Sequence, residues 1–324
     1  MHDRNGTPAG DHMRCMLALL CLSVTPAGAD SISTTDRATN RATDHADRMP
    51  AYLLEVPESV SNVLVADTTA ATLYRFTVSD NRIVAQDQRY MSIGQNGVGK
   101  VRAWDRKTPL GVYFITKRLD TSKLDAKYGV AAFPLDYPNA WDQYRERTGD
   151  GIWLHGVDRS LQRRPAMDTD GCLALPNDEL LSLAGHLKPM ETPVIVAREL
   201  HWLDPAEVER NRLEFRIVLD MWRQSMERQD LVAYLSLYDD GFRHRGMDKD
   251  TWSAFRLGAF TARPLTSVEI SNVLLLADPE EPDLYLSRFT QVLTGDGGSV
   301  KTTKRLYWKR SPDAQWRIVS EDNG

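Results

Sequence analysis

Cys172 stands in Thr169-Asp170-Gly171-Cys172-Leu173, downstream of Trp153-Leu154-His155-Gly156. A thiol attacks a carbonyl well only as a thiolate, so it needs a base or positive surroundings. His155 can supply the base, and the main-chain carbonyl of Gly156 can orient its ring. Gly171 allows close approach of the backbone to a reacting carbonyl, and the N–H groups around Gly171 and Cys172 could hold an oxyanion. Together these residues read as a cysteine nucleophile with its general base. Taken alone, a single cysteine is more often a small buried hydrophobe. Zinc is the poorer reading, because it wants three or four ligands and the chain has no His-Glu-x-x-His. The expected chemistry needs neither metal nor cofactor.

Substrate-facing candidates surround this pair. Trp153 shares a strand face with His155 and could line a pocket, with core packing as the competing reading. Arg159, Arg163 and Arg164 lie between His155 and Cys172. Guanidinium groups suit bidentate carboxylate contact, so Arg163 and Arg164 are substrate-binding candidates, against the reading of a solvated loop. Thr169 belongs to the cysteine motif. Tyr137 and Asn139 sit in a long stretch of low periodicity, Lys117 to Gly149, and are candidates for a lid, since such segments often cover a site.

The elements that must position these residues are β-rich. Val60 to Val65 and Leu73 to Val78 flank Asp67-Thr68-Thr69 and predict a hairpin. Val112 to Ile115 predicts a strand. In Gly151 to Gly156, Ile152 and Leu154 fall on one face and Trp153 and His155 on the other. A helix should begin at Pro176 or Asn177, with Leu180, Leu181, Ala184 and Leu187 as its apolar stripe. Pro193 to Ala197 predicts a closing strand. Composition shifts at Trp202-Leu203-Asp204-Pro205. A long helix then runs from Ala206 to about Arg228, with Leu213, Ile217 and Met221 as its apolar positions. A helix over Leu231 to Tyr238 follows. Strands come next at Ser267–Leu276, Leu284–Leu293, Ser299–Lys309 and Gln315–Ser320, with a turn at Gly295 to Gly298. Trp222, Tyr234, Tyr238 and Phe242 should pack together. Helices followed by antiparallel strands predict an α+β domain.

The N-terminus is organised for export. Arg14 precedes the apolar run Met16 to Val24, and Ala27-Gly28-Ala29 fits a small-x-small cleavage site. A signal peptide is therefore expected over 1–29, cleaved near Ala29, with a start at Met1 or Met13 and a flexible linker over 30–50. Cys15 and Cys21 fall in the signal, which leaves Cys172 as the mature thiol. A lone thiol in an oxidising compartment is a liability unless it does chemistry. The run is too short for a permanent membrane span. The 42% hydrophobic content is enough for two cores, and a formal charge of −5 without a long basic run argues against nucleic acid.

The motifs resemble a known family. His-Gly followed by Ser/Thr-x-Gly-Cys resembles the L,D-transpeptidase (YkuD-like) catalytic domain, over roughly Val60 to Ala197. Lys107-Thr108-Pro109-Leu110-Gly111-Val112-Tyr113 precedes the site as in that family. Phe133-Pro134-Leu135-Asp136-Tyr137-Pro138-Asn139 and Gly171-Cys172-Leu173-Ala174-Leu175-Pro176-Asn177 look like a periplasmic branch of it. Residues 205–324 are similar, more loosely, to an NTF2-like domain. One departure is Ala174, where many members carry Arg or Asn. The resemblance implies a catalytic domain over 51–200 and a helices-on-curved-sheet domain over 205–324. It implies an exported, periplasmic enzyme of cell-wall and cell-shape type acting on peptidoglycan stem peptides. Cys172 would attack the carbonyl between the third residue and D-Ala at position four, releasing D-Ala and leaving a thioester. A second stem amine (L,D-transpeptidase) or water (L,D-carboxypeptidase) would resolve it. Papain-like and NlpC-type peptidases place the cysteine before the histidine, the reverse of this order. In these readings the second domain positions substrate, binds a cell-wall or cell-shape partner, or dimerises. A third reading is an exported binding or scaffold protein with an inactive YkuD-like domain, in which the second domain does the work.

Overall fold

The computed structural model describes residues 48–79 and 82–324. The signal peptide expected over 1–29, and the linker expected over 30–50 apart from its last residues, lie outside the described residues. Those last residues include β1 (Met49–Pro50), which pairs with β13 (Trp202–Leu203). β2 (Leu53–Glu55) follows it.

The predicted hairpin forms from β3 (Val63–Asp67) and β4 (Thr72–Ser79), with Val65 opposite Tyr74. Asp67 closes it by accepting the Ala70 N–H at 2.8 Å. β5 (Arg82–Tyr90) extends the sheet on one side. On the other, β12 (Pro193–Ala197) joins β3 in parallel, and β7 (Gly111–Phe114) pairs antiparallel with β12. The order is β5-β4-β3-β12-β7, so the strand that ends the domain in sequence lies inside the sheet.

Alternation gives this sheet two apolar faces. Leu64, Ala66, Tyr113, Val194 and Val196 pack toward Leu154, Leu173 and Leu180. Val63, Val65, Phe114, Ile195 and Ala197 pack the opposite way, against Leu274, Leu276, Leu286 and Val319 of the second domain. Full burial of one such side chain is worth about 1.5–3 kcal/mol, so the second face is a shared core rather than a loose contact. Arg305 seals its edge. Its guanidinium is bidentate to Asp322 at 2.6 and 2.8 Å and also pairs with Asp136 of the first domain.

A smaller sheet positions His155 and Cys172. β9 (Trp153–His155) lies between β8 (Ala132–Pro134), antiparallel, and β11 (Leu173–Ala174), parallel. β10 (Met167–Thr169) pairs with β6 (Ile93–Gly94). α1 (Ala140–Tyr144) lies between β8 and β9, and α2 (Asn177–Ala184) follows β11. The helical stripe differs from expectation at one position. Leu180, Leu183, Ala184 and Leu187 are buried, and Leu181 is exposed. Three- and four-residue spacing brings Leu183 onto that face, and adjacent Leu181 turns away from it.

In the second domain, α3 (Pro205–Glu227) starts where Asp204 accepts the Ala206 N–H at 2.8 Å, with Pro205 in the first turn. Its buried face is Val208, Phe215, Leu219, Trp222 and Met226. The expected positions Leu213, Ile217 and Met221 are exposed instead. A stripe at strict four-residue spacing competes with one at mixed three- and four-residue spacing, and the second, with Phe215 and Trp222, offers more area to bury against the strands. α4 (Leu231–Ser236), β14 (Tyr238–His244), β15 (Met247–Asp248) and α5 (Lys249–Ala262) follow. The predicted strands appear as β16 (Leu265–Ala277), β17 (Leu284–Gly295), β18 (Gly298–Arg310) and β19 (Trp316–Asp322). The sheet order is β15-β14-β19-β18-β17-β16-β2. It is not purely antiparallel, because β14 runs parallel to β19. Trp222, Tyr234, Tyr238 and Phe242 share one core, as predicted. Among the described residues, no helix is long and apolar enough to cross a membrane.

Candidate active site

The β9–β11 register places Ala174 opposite His155 and Leu173 opposite Leu154, which brings Cys172 to the level of Trp153. Cys172 and His155 line one cavity of about 480 Å³. Both are nearly buried, at 8% and 3% exposure. His155 Nδ1 lies 2.6 Å from the Gly156 carbonyl. A carbonyl can only accept, so Nδ1 carries the proton and Nε2 keeps its lone pair, the state a general base requires. The Tyr128 ring meets His155 edge-on at 5.2 Å and packs on Trp153 at 4.6 Å. Trp153 and His155 therefore share a face, as alternation predicts.

The carbonyl that orients His155 is itself held. Asn177 Oδ1 accepts from Val130 and Val157 N–H at 3.3 and 3.2 Å, and its amide donates to the Val157 carbonyl at 2.8 Å. A Cβ on Gly156 would collide with that same Asn177 oxygen. Glycine at 156 is a packing requirement of the clamp. In the sequence Asn177 is legible only as a helix start; its hold on the His-Gly turn comes from the fold.

The thiol sits between two backbone groups. Sγ accepts the Trp153 N–H at 3.4 Å and donates to the Gly151 carbonyl at 3.3 Å. Burial pushes the Cys172 thiol up to about 11, against the Trp153 N–H, which favours the thiolate. Burial also drives the His155 imidazole down to about 4, partly offset by the Gly156 carbonyl; Arg164 and Lys127 push it further down. Both shifts favour the uncharged forms. In an attack by this thiol, those two directions would couple the loss of its proton to bond formation.

The cysteine turn is fixed by Thr169 and Gly171. Thr169 Oγ1 donates to the Cys172 carbonyl at 2.8 Å and accepts the Gly171 N–H at 3.1 Å. Gly171 has φ +122, and a Cβ there would lie 2.6 Å from the Lys107 carbonyl. Its own N–H is thus engaged with Thr169. What Gly171 contributes is the absence of a side chain, not a free oxyanion donor.

Other candidates sort by position. Arg164 lines the cavity and is braced by the Asp168 carbonyl at 2.6 Å. Thr169 lines it too. Arg163 instead lies over the Tyr90 ring at 5.0 Å on the exposed surface. Tyr137 and Asn139 are not lid residues: both are 5% exposed. Tyr137 hydroxyl donates to the Thr148 carbonyl at 3.1 Å. Asn139 caps α1, accepting the Asp142 N–H at 2.9 Å while its amide donates to the Val112 carbonyl. The low-periodicity stretch read as a lid contains a helix start at this point. Trp153 acts on the thiol through its backbone, its indole being packed on Tyr128. Lys127, Tyr128, Trp104, Arg106, Asp150 and Asp170 also line the cavity. None was singled out from sequence; Lys127 and Tyr128 come from the same low-periodicity stretch as the mistaken lid.

Residues 61–196 match the L,D-transpeptidase catalytic domain (YkuD), and residues 214–322 match the Cds6 C-terminal NTF2-like domain. Among solved structures, Bd1075 of Bdellovibrio bacteriovorus is 27% identical, with a TM-score of 0.72 over 86% of this chain and 98% of its own. The helical cell shape determining protein Pgp2 of Campylobacter jejuni is 21% identical, with a TM-score of 0.68 over 89% of this chain and 99% of its own. The likeness in fold therefore spans both domains. No curated protein matches the chain.

Proposed function

From the premise that residues 61–196 form an L,D-transpeptidase-family catalytic domain and residues 214–322 a Cds6-type NTF2-like domain, we propose that this protein is an exported, periplasmic cysteine enzyme of peptidoglycan. The observation that carries this is the Cys172–His155 pair in one cavity, with Nδ1 of the histidine tied to Gly156. Its substrate is a tetrapeptide stem. As Cys172 Sγ bonds to the carbonyl carbon between residue three and D-Ala, His155 Nε2 takes the thiol proton. The tetrahedral adduct collapses, the C–N bond breaks, and that proton goes to the amine of the departing D-Ala. A thioester remains on Cys172. His155 then takes a proton from the acceptor, an amine or water, as it attacks the thioester, and the thiol leaves reprotonated.

Lys127 and Arg164, close enough to bias both Cys172 and His155, supply positive charge for the terminal carboxylate of D-Ala. Transpeptidation to a second stem is the first reading. Hydrolysis to a tripeptide is the second. It is favoured by the two-domain likeness to Pgp2, a cell-shape determinant, and by Ala174, whose buried methyl offers no polar contact to a peptide. Incubation of the mature protein with disaccharide-tetrapeptide, followed by mass spectrometry, tests this. A 3-3 crosslinked dimer identifies an L,D-transpeptidase. Tripeptide and free D-Ala without dimer identify an L,D-carboxypeptidase. Neither product, under conditions where Cys172 is reduced, contradicts both and returns weight to an inactive scaffold.

A further inference from the structure

Trp104 stands at the mouth of the cavity with 95% of its surface exposed. Nothing in its own packing explains a tryptophan there. The loop beneath it is firmly built. Asp105 takes the Lys100 ammonium at 2.8 Å and the N–H groups of Val101, Arg102 and Lys107 at 2.9, 3.0 and 3.1 Å. Thr148 Oγ1 takes the Ala103 N–H at 3.3 Å. Lys100 is itself 3% exposed. On this support Trp104 and Arg106 both adopt left-handed backbone, with φ +64 and +56. Such conformations cost free energy in non-glycine residues and persist where the surroundings impose them. The loop thus holds a large aromatic face out in water, in a fixed place, beside the nucleophile's cavity.

Around the cavity, half-buried Arg164 and the exposed Lys127, Asp150 and Asp170 suit the charged peptide, and Trp104 adds a broad apolar face beside them. A volume of about 480 Å³ is that of a site for one ligand of modest size, so the saccharide that bears the stem must lie at the mouth or beyond. Three extended residues separate that sugar from the scissile carbonyl, roughly 10 Å. A pyranose presents a face of slightly positive C–H groups, which complements the negative face of an indole, and it keeps its hydroxyls in solvent. We propose that Trp104 is a stacking platform for a pyranose ring of the glycan strand, so that the enzyme reads sugar and stem together. This rests on the peptidoglycan reading above.

The test uses the full mature chain carrying Cys172→Ala, which binds without turnover. Its affinity is measured calorimetrically for disaccharide-tetrapeptide and for the same tetrapeptide without sugar. The ratio of the two affinities should be about five- to tenfold in favour of the sugar-bearing ligand. Adding Trp104→Ala should bring it close to one, and Trp104→Tyr should restore most of it. A ratio near one before Trp104 is changed, or a ratio that survives Trp104→Ala, overturns the platform while leaving the peptide site standing. Failure of both ligands to bind would overturn the peptidoglycan reading and the platform with it.

Discussion

On one face of the five-stranded sheet, Leu64, Tyr113, Val194 and Val196 support the layer that carries Cys172 and His155. On the other, Val63, Phe114, Ile195 and Ala197 are covered by a second domain. The residues are of the same kind and alternate along the same strands. What lies on them differs. The side that carries Cys172 and His155 is assembled from strands of two and three residues, positioned by Asn177, Thr169 and two glycines whose missing side chains let other groups approach. The opposite side is continuous apolar packing closed by one buried guanidinium. Chemistry needs short pieces that can be aimed individually, and each aim is set by a hydrogen bond. Anchoring needs area, which long strands supply.

Substitutions on the two sides should have opposite signatures, the largest at the thiol. Cys172→Ala should lower turnover at least about 10⁴-fold, since residues acting as a catalytic unit fail together. Its effect on stability should stay below about 1.5 kcal/mol, because only a small side chain is trimmed. Urea titration alongside the activity assay checks both. Arg305→Met should do the reverse. It leaves Asp136 and Asp322 facing each other without their cation, at a cost of about 3–5 kcal/mol. The whole described chain should lose stability in one transition, with turnover by the remaining folded protein close to normal. Two separate transitions would mean that the shared core does not couple the domains.

Gly171→Ala should cost roughly 1–3 kcal/mol through its backbone conformation alone. It should also cut activity, because the Cys172 turn must move off the Lys107 carbonyl. Normal activity with lowered stability would show that the thiol tolerates displacement. The smallest effect is a matter of pH. His155 stays an uncharged base down to about 4, well below its usual 6.5, so the acid limb of kcat/KM should fall near pH 4. Stability follows the same sign. Below 6.5 the unfolded chain takes the histidine proton before the folded one does, and stability declines as pH falls toward 4. With Cys172 raised from 9 to about 11, thiol alkylation should keep accelerating above pH 9. Stability should decline over that interval, since the unfolded thiol ionises first. A plateau in alkylation at neutral pH would instead reveal a preformed thiolate–imidazolium pair.

The meeting of Cys172 and His155 in one cavity and the face of β9 that carries His155 were legible because they rest on local facts: a motif, and period-two alternation over a few residues. So were the hairpin at Asp67 and the aromatic core around Trp222. The errors share a different cause. Leu213, Ile217 and Met221 form a valid helical stripe, and only the strands lying on the other side of α3 decide which stripe is buried. Tyr137 and Asn139 have the composition of a loop over a site, yet the Asn139 cap on α1 takes them into the interior. Lys127, Tyr128 and Trp104 reach the cavity through tertiary folding of segments without periodicity, which no local pattern reports. A tryptophan among the charged residues of the Lys100 to Lys107 loop was the one available signal, since such a position offers little to bury it.

The central claim is that Cys172 becomes acylated with loss of D-Ala. Intact-mass spectrometry of the mature protein, quenched in acid seconds after mixing with disaccharide-tetrapeptide, addresses it directly. The predicted result is a new species heavier by the disaccharide-tripeptide acyl group, mapped to Cys172 by proteolysis, with free D-Ala in equal amount and neither product from Cys172→Ala. Release of D-Ala by the Cys172→Ala protein, or an acyl group mapped to any other residue, would contradict it.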